Sequence, residues 1–286
     1  MQRQSSFKNS TGGALYLVPT PIGNLDDMTF RAIDVLNQAD LIAAEDTRNT
    51  QKLLNHFEIE TKQISFHEHN TQQRIPELIA RMQQGETIAQ VSDAGMPSIS
   101  DPGHELVNAA IAADIPVVPL PGANAATTAL IASGLAPQPF MFYGFLPRKA
   151  GQQQQVLNEL KNEMQTIIFY ESPHRLGKTL AAMQEVLGDR QAVLARELTK
   201  KFEEFIRGSL SELTTYANED ARGEYVVLVA GKTPDALPDL SSDDDLKQAV
   251  ADAVAAGNKP NDAIKMIAKQ HNIKKQTVYN AYHEIN

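Results

Sequence analysis

Thr87-Ile88-Ala89-Gln90-Val91, running on into Ser92-Asp93-Ala94-Gly95-Met96-Pro97-Ser98-Ile99-Ser100-Asp101-Pro102-Gly103, reads as a buried strand that opens into a loop rich in Gly, Pro, Ser and Asp. Small residues let a backbone approach a ligand closely, and aspartates and hydroxyls supply hydrogen bonds at the strand's carboxyl end. Open α/β sheets put their binding crevices at that edge. The stretch therefore predicts an α/β sheet with a ligand site above it.

The flanking sequence repeats the pattern. Ala14 to Val18 reads as a strand bounded by Pro19. Helix-spaced apolar residues from Thr29 to Leu36 lead into a strand at Leu41 to Ala44. A helix from Thr50 to Phe57 precedes a short strand at Gln63 to Phe66. A third helix from about Arg74 to Gln84 stops at Gly85, and a fourth from Glu105 to Ala113 precedes a strand at Pro116 to Pro119. This βαβ series predicts a mostly parallel sheet covered by helices.

After a helix at Gly122 to Ala132 the elements lengthen, with strands expected at Phe140–Tyr143, Thr166–Tyr170, Ala192–Arg196 and Tyr225–Ala230 and helices near Gln153–Met164 and Leu176–Leu187. The expected organisation is a flexible leader (1–13), an N-terminal α/β domain (14–121), a second α/β domain (122–231), a linker (232–245) and a small C-terminal helical module (246–286). The linker assignment rests on turn formers and the run Asp243-Asp244-Asp245. In the module, Pro260 starts one helix and Val278, Ala281 and Tyr282 mark another, a helix-turn-helix-like spacing that any αα-hairpin shares.

The 286 residues are 42% hydrophobic and 21% charged, an ordinary globular composition. There is no cysteine, which excludes disulfides, thiolate zinc sites and a cysteine nucleophile. No apolar run reaches transmembrane length and the start is polar, so no membrane association and a cytoplasmic location are expected. The formal net charge of -9 opposes a surface that attracts nucleic acid everywhere, so an RNA substrate needs a local basic patch.

Several turns carry candidate chemistry. Pro19-Thr20-Pro21-Ile22-Gly23-Asn24 follows the first strand with neither a GxGxxG pattern nor a P-loop, so common dinucleotide and triphosphate sites lose support. Glu45-Asp46-Thr47-Arg48 places carboxylates and a guanidinium at a strand end, or simply caps a helix. Pro121-Gly122-Ala123-Asn124-Ala125 makes a tight turn that can flank a planar ligand. Glu171-Ser172-Pro173-His174-Arg175 repeats the strand-then-polar-turn design, and Arg148, Lys149 and Lys200 concentrate scarce positive charge. His67-Glu68-His69 lacks a third ligand at metal spacing, so no metal is expected.

Taken in order, Pro19 to Asp27, Glu45 to Arg48, Ser92 to Pro97, Ser100 to Gly103, Pro121-Gly122, Gly144 to Pro147, Glu171 to Arg175 and Arg196 to Lys200 resemble the motif set of the ribosomal RNA small subunit methyltransferase I family, within the tetrapyrrole methylase superfamily. The resemblance spans roughly residues 14 to 231. It implies a tetrapyrrole methylase-like fold and transfer of a methyl group from S-adenosyl-L-methionine to the ribose 2'-hydroxyl of a cytidine in the decoding region of 16S rRNA. It also implies a homodimer acting on the small ribosomal subunit. By family position Pro21, Ile22, Asp93, Ala94, Gly95, Ser98, Asn124 and Ala125 are implied to line the cofactor pocket.

Methyl transfer from a sulfonium needs alignment of donor and acceptor and removal of the hydroxyl proton, and needs no metal. Glu45, Asp46, Glu171 and His174 are candidate proton acceptors. Arg48 and Arg175, with Arg148, Lys149 and Lys200, are candidates for positioning phosphate. Two alternatives stay open at this point: methylation of a tetrapyrrole ring, and a non-catalytic RNA-binding assembly factor.

Overall fold

Short apolar segments separated by amphipathic ones form two sheets in the computed structural model, which describes residues 3–4, 12–234, 238 and 240–285, with the Asp220 side chain outside the description. The first sheet contains β1 (Ala14–Leu17), β2 (Leu41–Ala44), β3 (Gln63–Ser65), β4 (Thr87–Val91) and β5 (Val117–Pro119). Its order is β3-β2-β4-β1-β5 and every pairing is parallel. The connecting helices are α1 (Phe30–Gln38), α2 (Thr47–His56), α3 (Thr71–Gln83) and α4 (Gly103–Ala112).

Both faces of this sheet are covered, as a parallel sheet requires. Leu36 of α1 and Leu53 and Leu54 of α2 pack with Ile42, Ala44 and Val91 on one face. Leu78 and Met82 of α3 and Leu106 of α4 pack with Leu15, Leu41 and Ile88 on the other.

The second sheet follows α5 (Ala125–Ser133) and contains β6 (Phe140–Phe145), β7 (Thr166–Glu171), β8 (Gln191–Arg196), β9 (Glu204–Ser209) and β10 (Tyr225–Val229). Its order is β6-β7-β10-β8-β9, with only β6 and β7 parallel. Helices α6 (Ala150–Leu160), α7 (Pro173–Leu187) and α8 (Leu210–Asp220) cover one face through Leu157, Leu180 and Leu213. Strand alternation sends Ile167 and Phe169 to that face and Ile168 to the other, where Ala126, Ala129 and Leu130 of α5 meet it.

Strand β9, which carries Arg207, is absent from the sequence expectation. Arg207 donates to Ser133 O (Nε, 3.0 Å) and Ala132 O (Nη2, 2.6 Å), capping the carboxyl end of α5, where a cation meets the negative pole of the helix.

The chain divides into two compact units, one up to Lys232 and one from Thr233. The second holds α9 (Asp243–Ala255), α10 (Pro260–Gln270) and α11 (Lys275–His283) around Leu246, Val250, Ile264 and Val278. Here the expected linker at 232–245 is corrected. Asp243 to Asp245 open a helix rather than extend a tether, because carboxylates in a first turn complement the helix dipole and Ser242 and Asp245 cap one another. Residues 1–2 and 5–11 of the expected leader, 235–237 and 239 of the expected linker and 286 of the expected module lie outside the described residues.

Candidate active site

Strands β1 and β4 lie side by side, yet the chain leaving β1 turns toward the α1 face and the chain leaving β4 toward the α4 face. Their loops part above the strand ends, which is where open α/β sheets hold ligands. Reciprocal backbone bonds join the two loops, Thr20 N to Gly95 O and Gly95 N to Thr20 O, both 3.0 Å. Gly95 has φ +76°, and a Cβ there would stand 3.3 Å from Ile22 Cγ2 and 3.4 Å from Ala123 O. The bare backbone keeps the loop low against its neighbours.

The β4–α4 loop is organised from beneath by one buried amide. Gln90 Nε2 donates to Asp101 Oδ1 at 2.9 Å, and Ser98 Oγ donates to Gln90 Oε1 at 3.3 Å. Asp101 in turn accepts from Ser98 N (2.7 Å) and Gly103 N (2.8 Å). A buried polar side chain with both ends satisfied fixes a loop more firmly than apolar contact can.

At the end of β2, Glu45 Oε2 accepts from Asp93 N at 3.1 Å, while Asp93 Oδ1 accepts from Asp46 N at 3.1 Å and Oδ2 from Asn49 Nδ2 at 3.1 Å. Burial pushes the Glu45 carboxyl above its ordinary pKa; the Asp93 amide opposes this, and the charges of Asp93, Asp101 and Asp46 add to the rise. Asp46 goes the other way. Its hydrogen bonds from the Arg48 side chain (Nε 3.0 Å, Nη2 2.7 Å) and from Arg48 N hold its carboxyl down at about 2.

These loops form one side of a cavity of about 640 Å³. The second sheet supplies the other side, with Tyr170, Leu198 and Val226 prominent among its apolar residues. Burial raises the Tyr170 hydroxyl pKa, against the opposing bond from the Ala126 amide, so the phenol is neutral there. Lys200 enters the same wall with Nζ 3.0 Å from Glu197 and 2.8 Å from Glu224. Burial alone would lower its pKa, but the two carboxylates outweigh it and the net shift is upward.

Of the residues implied to bind cofactor, Ile22, Asp93, Ala94, Gly95, Asn124 and Ala125 lie on the cavity wall. Pro21 and Ser98 do not line it; Ser98 turns its hydroxyl down to Gln90 and shapes the loop from within. Asn124 caps α5, its Oδ1 accepting from Thr127 N at 3.0 Å. Among the candidate proton acceptors, Glu45 and Glu171 line the cavity, and Asp46 and His174 do not. Glu171 is buried and engaged: Oε2 accepts from Thr179 Oγ1 at 2.7 Å and Oε1 from Ser172 N at 2.8 Å.

The expected basic rim is divided. Arg175 Nη2 donates to Leu146 O (3.0 Å) and Pro147 O (3.3 Å) and lies 3.4 Å from Glu171, so it staples a turn. Arg48 is an exposed partner of Asp46, and Lys200 is neutralised by its carboxylates. Arg148 and Lys149 are exposed on the turn Arg175 holds. His67 to His69 follow β3 rather than extending it, and among the described residues no group of three or more His, Asp or Glu stands where it could hold a metal ion.

Sequence reasoning missed Phe145, Tyr170, Leu198 and Val226 as cavity residues. Each sits in a stretch read as strand or motif, and the missing signal was the face each strand presents to the first sheet's loops.

The family model for tetrapyrrole (corrin/porphyrin) methylases matches residues 14–214. The chain is 58% identical to the ribosomal RNA small subunit methyltransferase I of Streptococcus pyogenes serotype M3, with 100% of each chain covered. It is 51% identical to the protein of that name from Bacillus subtilis, over 99% of each chain. The Synechocystis protein of the same name is 49% identical over 93% of this chain and 96% of its own length. Among solved structures, uroporphyrin-III-C-methyltransferase from Thermus thermophilus superposes with a TM-score of 0.53 at 20% identity, covering 77% of this chain and 94% of that one. A cobalt precorrin-4 methyltransferase gives 0.59 at 18% identity, covering 76% and 94%. Those two likenesses carry the fold alone. The chain belongs to the tetrapyrrole (corrin/porphyrin) methylase family and, within it, to the group of ribosomal RNA small subunit methyltransferase I proteins.

Proposed function

We propose that this protein transfers the methyl group of S-adenosyl-L-methionine to the 2'-hydroxyl of a cytidine ribose in the decoding region of 16S rRNA. The relatives of 49 to 58% identity carry the rRNA methyltransferase name over nearly their whole lengths, whereas the tetrapyrrole enzymes share only the fold. The structural observation that carries the reading is a largely apolar crevice at the strand switch with one incompletely buried carboxylate, Glu45, of raised pKa on its wall.

The residues present fit the methyl donor. A cavity of about 640 Å³ suits a ligand of nucleoside size. Ile22, Ala125, Leu198 and Val226 offer apolar walls for a purine, and Asp93 and Asn124 offer polar atoms for its hydroxyls and amine. The low loop at Gly95 leaves room for close backbone approach. Bound there, S-adenosylmethionine supplies an electrophilic methyl group and needs no metal.

The protein's part is alignment, exclusion of water and removal of one proton. Glu45 is suited to take the proton from the ribose hydroxyl, because burial and the neighbouring carboxylates make its carboxylate more basic than an exposed one. Asp46, held near 2, is a far weaker acceptor and serves α2 as its cap. Glu171 holds the start of α7 and the Arg175 staple.

A homodimer acting on the assembled small subunit in the cytoplasm completes the proposal, and the net charge of -9 supports it by limiting adhesion to unrelated RNA. Incubation with purified small subunits and labelled methyl donor tests the substrate. Label recovered on a cytidine ribose supports it, and label on a base, on a tetrapyrrole or nowhere contradicts it.

A further inference from the structure

Phe145 ends β6 with more than half of its surface exposed (56%), although it lines the cavity. Its orientation is the product of an irregularity. Met141 and Tyr143 pack toward the α6–α8 side, and strict alternation would send Phe145 there too. The register with β7 shifts between Phe142 and Gly144, so that Phe142 faces Ile168, Gly144 faces Phe169 and Phe145 faces Tyr170. One extra residue flips the side chain to the cavity face, with Gly144 at φ +84° accommodating the bulge. There the Phe145 ring lies 5.5 Å from that of Tyr170 at 64°.

Three further observations surround it. Across the cleft, Ile99 of the β4–α4 loop is also exposed (54%) and also lines the cavity. Arg148 and Lys149, exposed on the same turn as Phe145, project positive charge without a carboxylate partner among the described residues. Arg175 fixes that turn through Leu146 O and Pro147 O. An exposed aromatic beside unneutralised cations on a stapled turn is the composition of a single-stranded nucleic-acid platform.

We propose that Phe145 is the stacking platform for the base of the target nucleotide, with Ile99 closing on it from the opposite lobe and Arg148 and Lys149 taking the flanking phosphates. The proposal rests on the rRNA reading above and deepens it. A ribose 2'-carbon is bonded to the carbon that carries the base, so a hydroxyl presented to Glu45 brings its base to the cavity mouth. A base leaving its neighbours loses stacking, and a π-face at the mouth restores it without regard to base identity.

The test is steady-state methylation of purified small subunits by the full chain and by Phe145→Ala, Phe145→Tyr and Ile99→Ala, with S-adenosylmethionine affinity measured by calorimetry. Phe145→Ala is expected to raise KM for the subunit about 10- to 100-fold, with kcat and donor affinity within about twofold. Phe145→Tyr keeps the ring and stays near the parent, and Ile99→Ala shows a smaller rise in KM. An unchanged KM in Phe145→Ala overturns the platform while the parent's activity leaves the rRNA reading standing. Weakened donor binding in that variant also overturns it, by making Phe145 part of the donor pocket. A parent protein that transfers no methyl to the subunit overturns the underlying reading and the platform with it.

Discussion

Glu45 and Asp93 hold each other across two strand ends: Glu45 Oε2 accepts from the Asp93 amide at 3.1 Å, and the Asp93 carboxylate accepts from Asp46 N, the residue after Glu45, at the same distance. The pair locks the candidate proton acceptor to the loop expected to hold the methyl donor. Displacing either residue therefore disturbs both functions.

Glu45→Gln keeps a carbonyl oxygen for the Asp93 amide but removes the proton acceptor. The expected result is a fall in kcat of about 10²- to 10⁴-fold with donor affinity nearly unchanged. Single-turnover kinetics and calorimetry on the same sample check it.

The pH dependence follows from the direction of the Glu45 shift. Ionised Glu45 is the active form, and burial first, then neighbouring carboxylates, favour the protonated form. Activity should thus fall as pH drops through an apparent pKa above the ordinary glutamate value of 4.5. Asp93→Asn removes one of those charges and should move this acid limb to lower pH, read from kcat/KM profiles.

Gln90→Leu replaces the buried amide under the β4–α4 loop and leaves Asp101 short of a donor. A loss of about 1–3 kcal/mol in stability is expected for the removal of a hydrogen bond to a charged group, while Asp101 keeps its two backbone donors. Donor affinity should weaken about tenfold as Ser98 and Asp101 lose their common anchor. Chemical denaturation and calorimetry separate the two effects.

The exposed cations are distinguished from the paired ones by salt. Removing Arg148 and Lys149 together should reduce the slope of log affinity against log salt for RNA by about one to two. Removing Lys200, already held by Glu197 and Glu224, should change that slope far less.

The parallel sheet was legible because its strands other than β3 carry their own local signal, a short apolar run soon followed by Pro or Asp, and its helices an apolar stripe. The same local signals placed Glu45, Asp93 and Asn124 at strand ends. What stayed hidden depends on pairing over distance. Phe145 gains its direction from a register shift against β7, Arg175 its task from the carbonyls of Leu146 and Pro147, and Arg207 its task from the end of α5. The acid run at Asp243 misled for a related reason: its meaning turns on whether a capping serine lets it open a helix.

Mass spectrometry of nuclease-digested 16S rRNA, taken from purified small subunits after incubation with this protein and isotopically labelled S-adenosylmethionine, decides whether the protein methylates a cytidine ribose with Glu45 as proton acceptor. One labelled methyl group on a cytidine ribose oxygen is expected, and none when Glu45→Gln replaces the parent over the same interval. Label on a base carbon or nitrogen, or equal labelling by Glu45→Gln, would contradict this expectation.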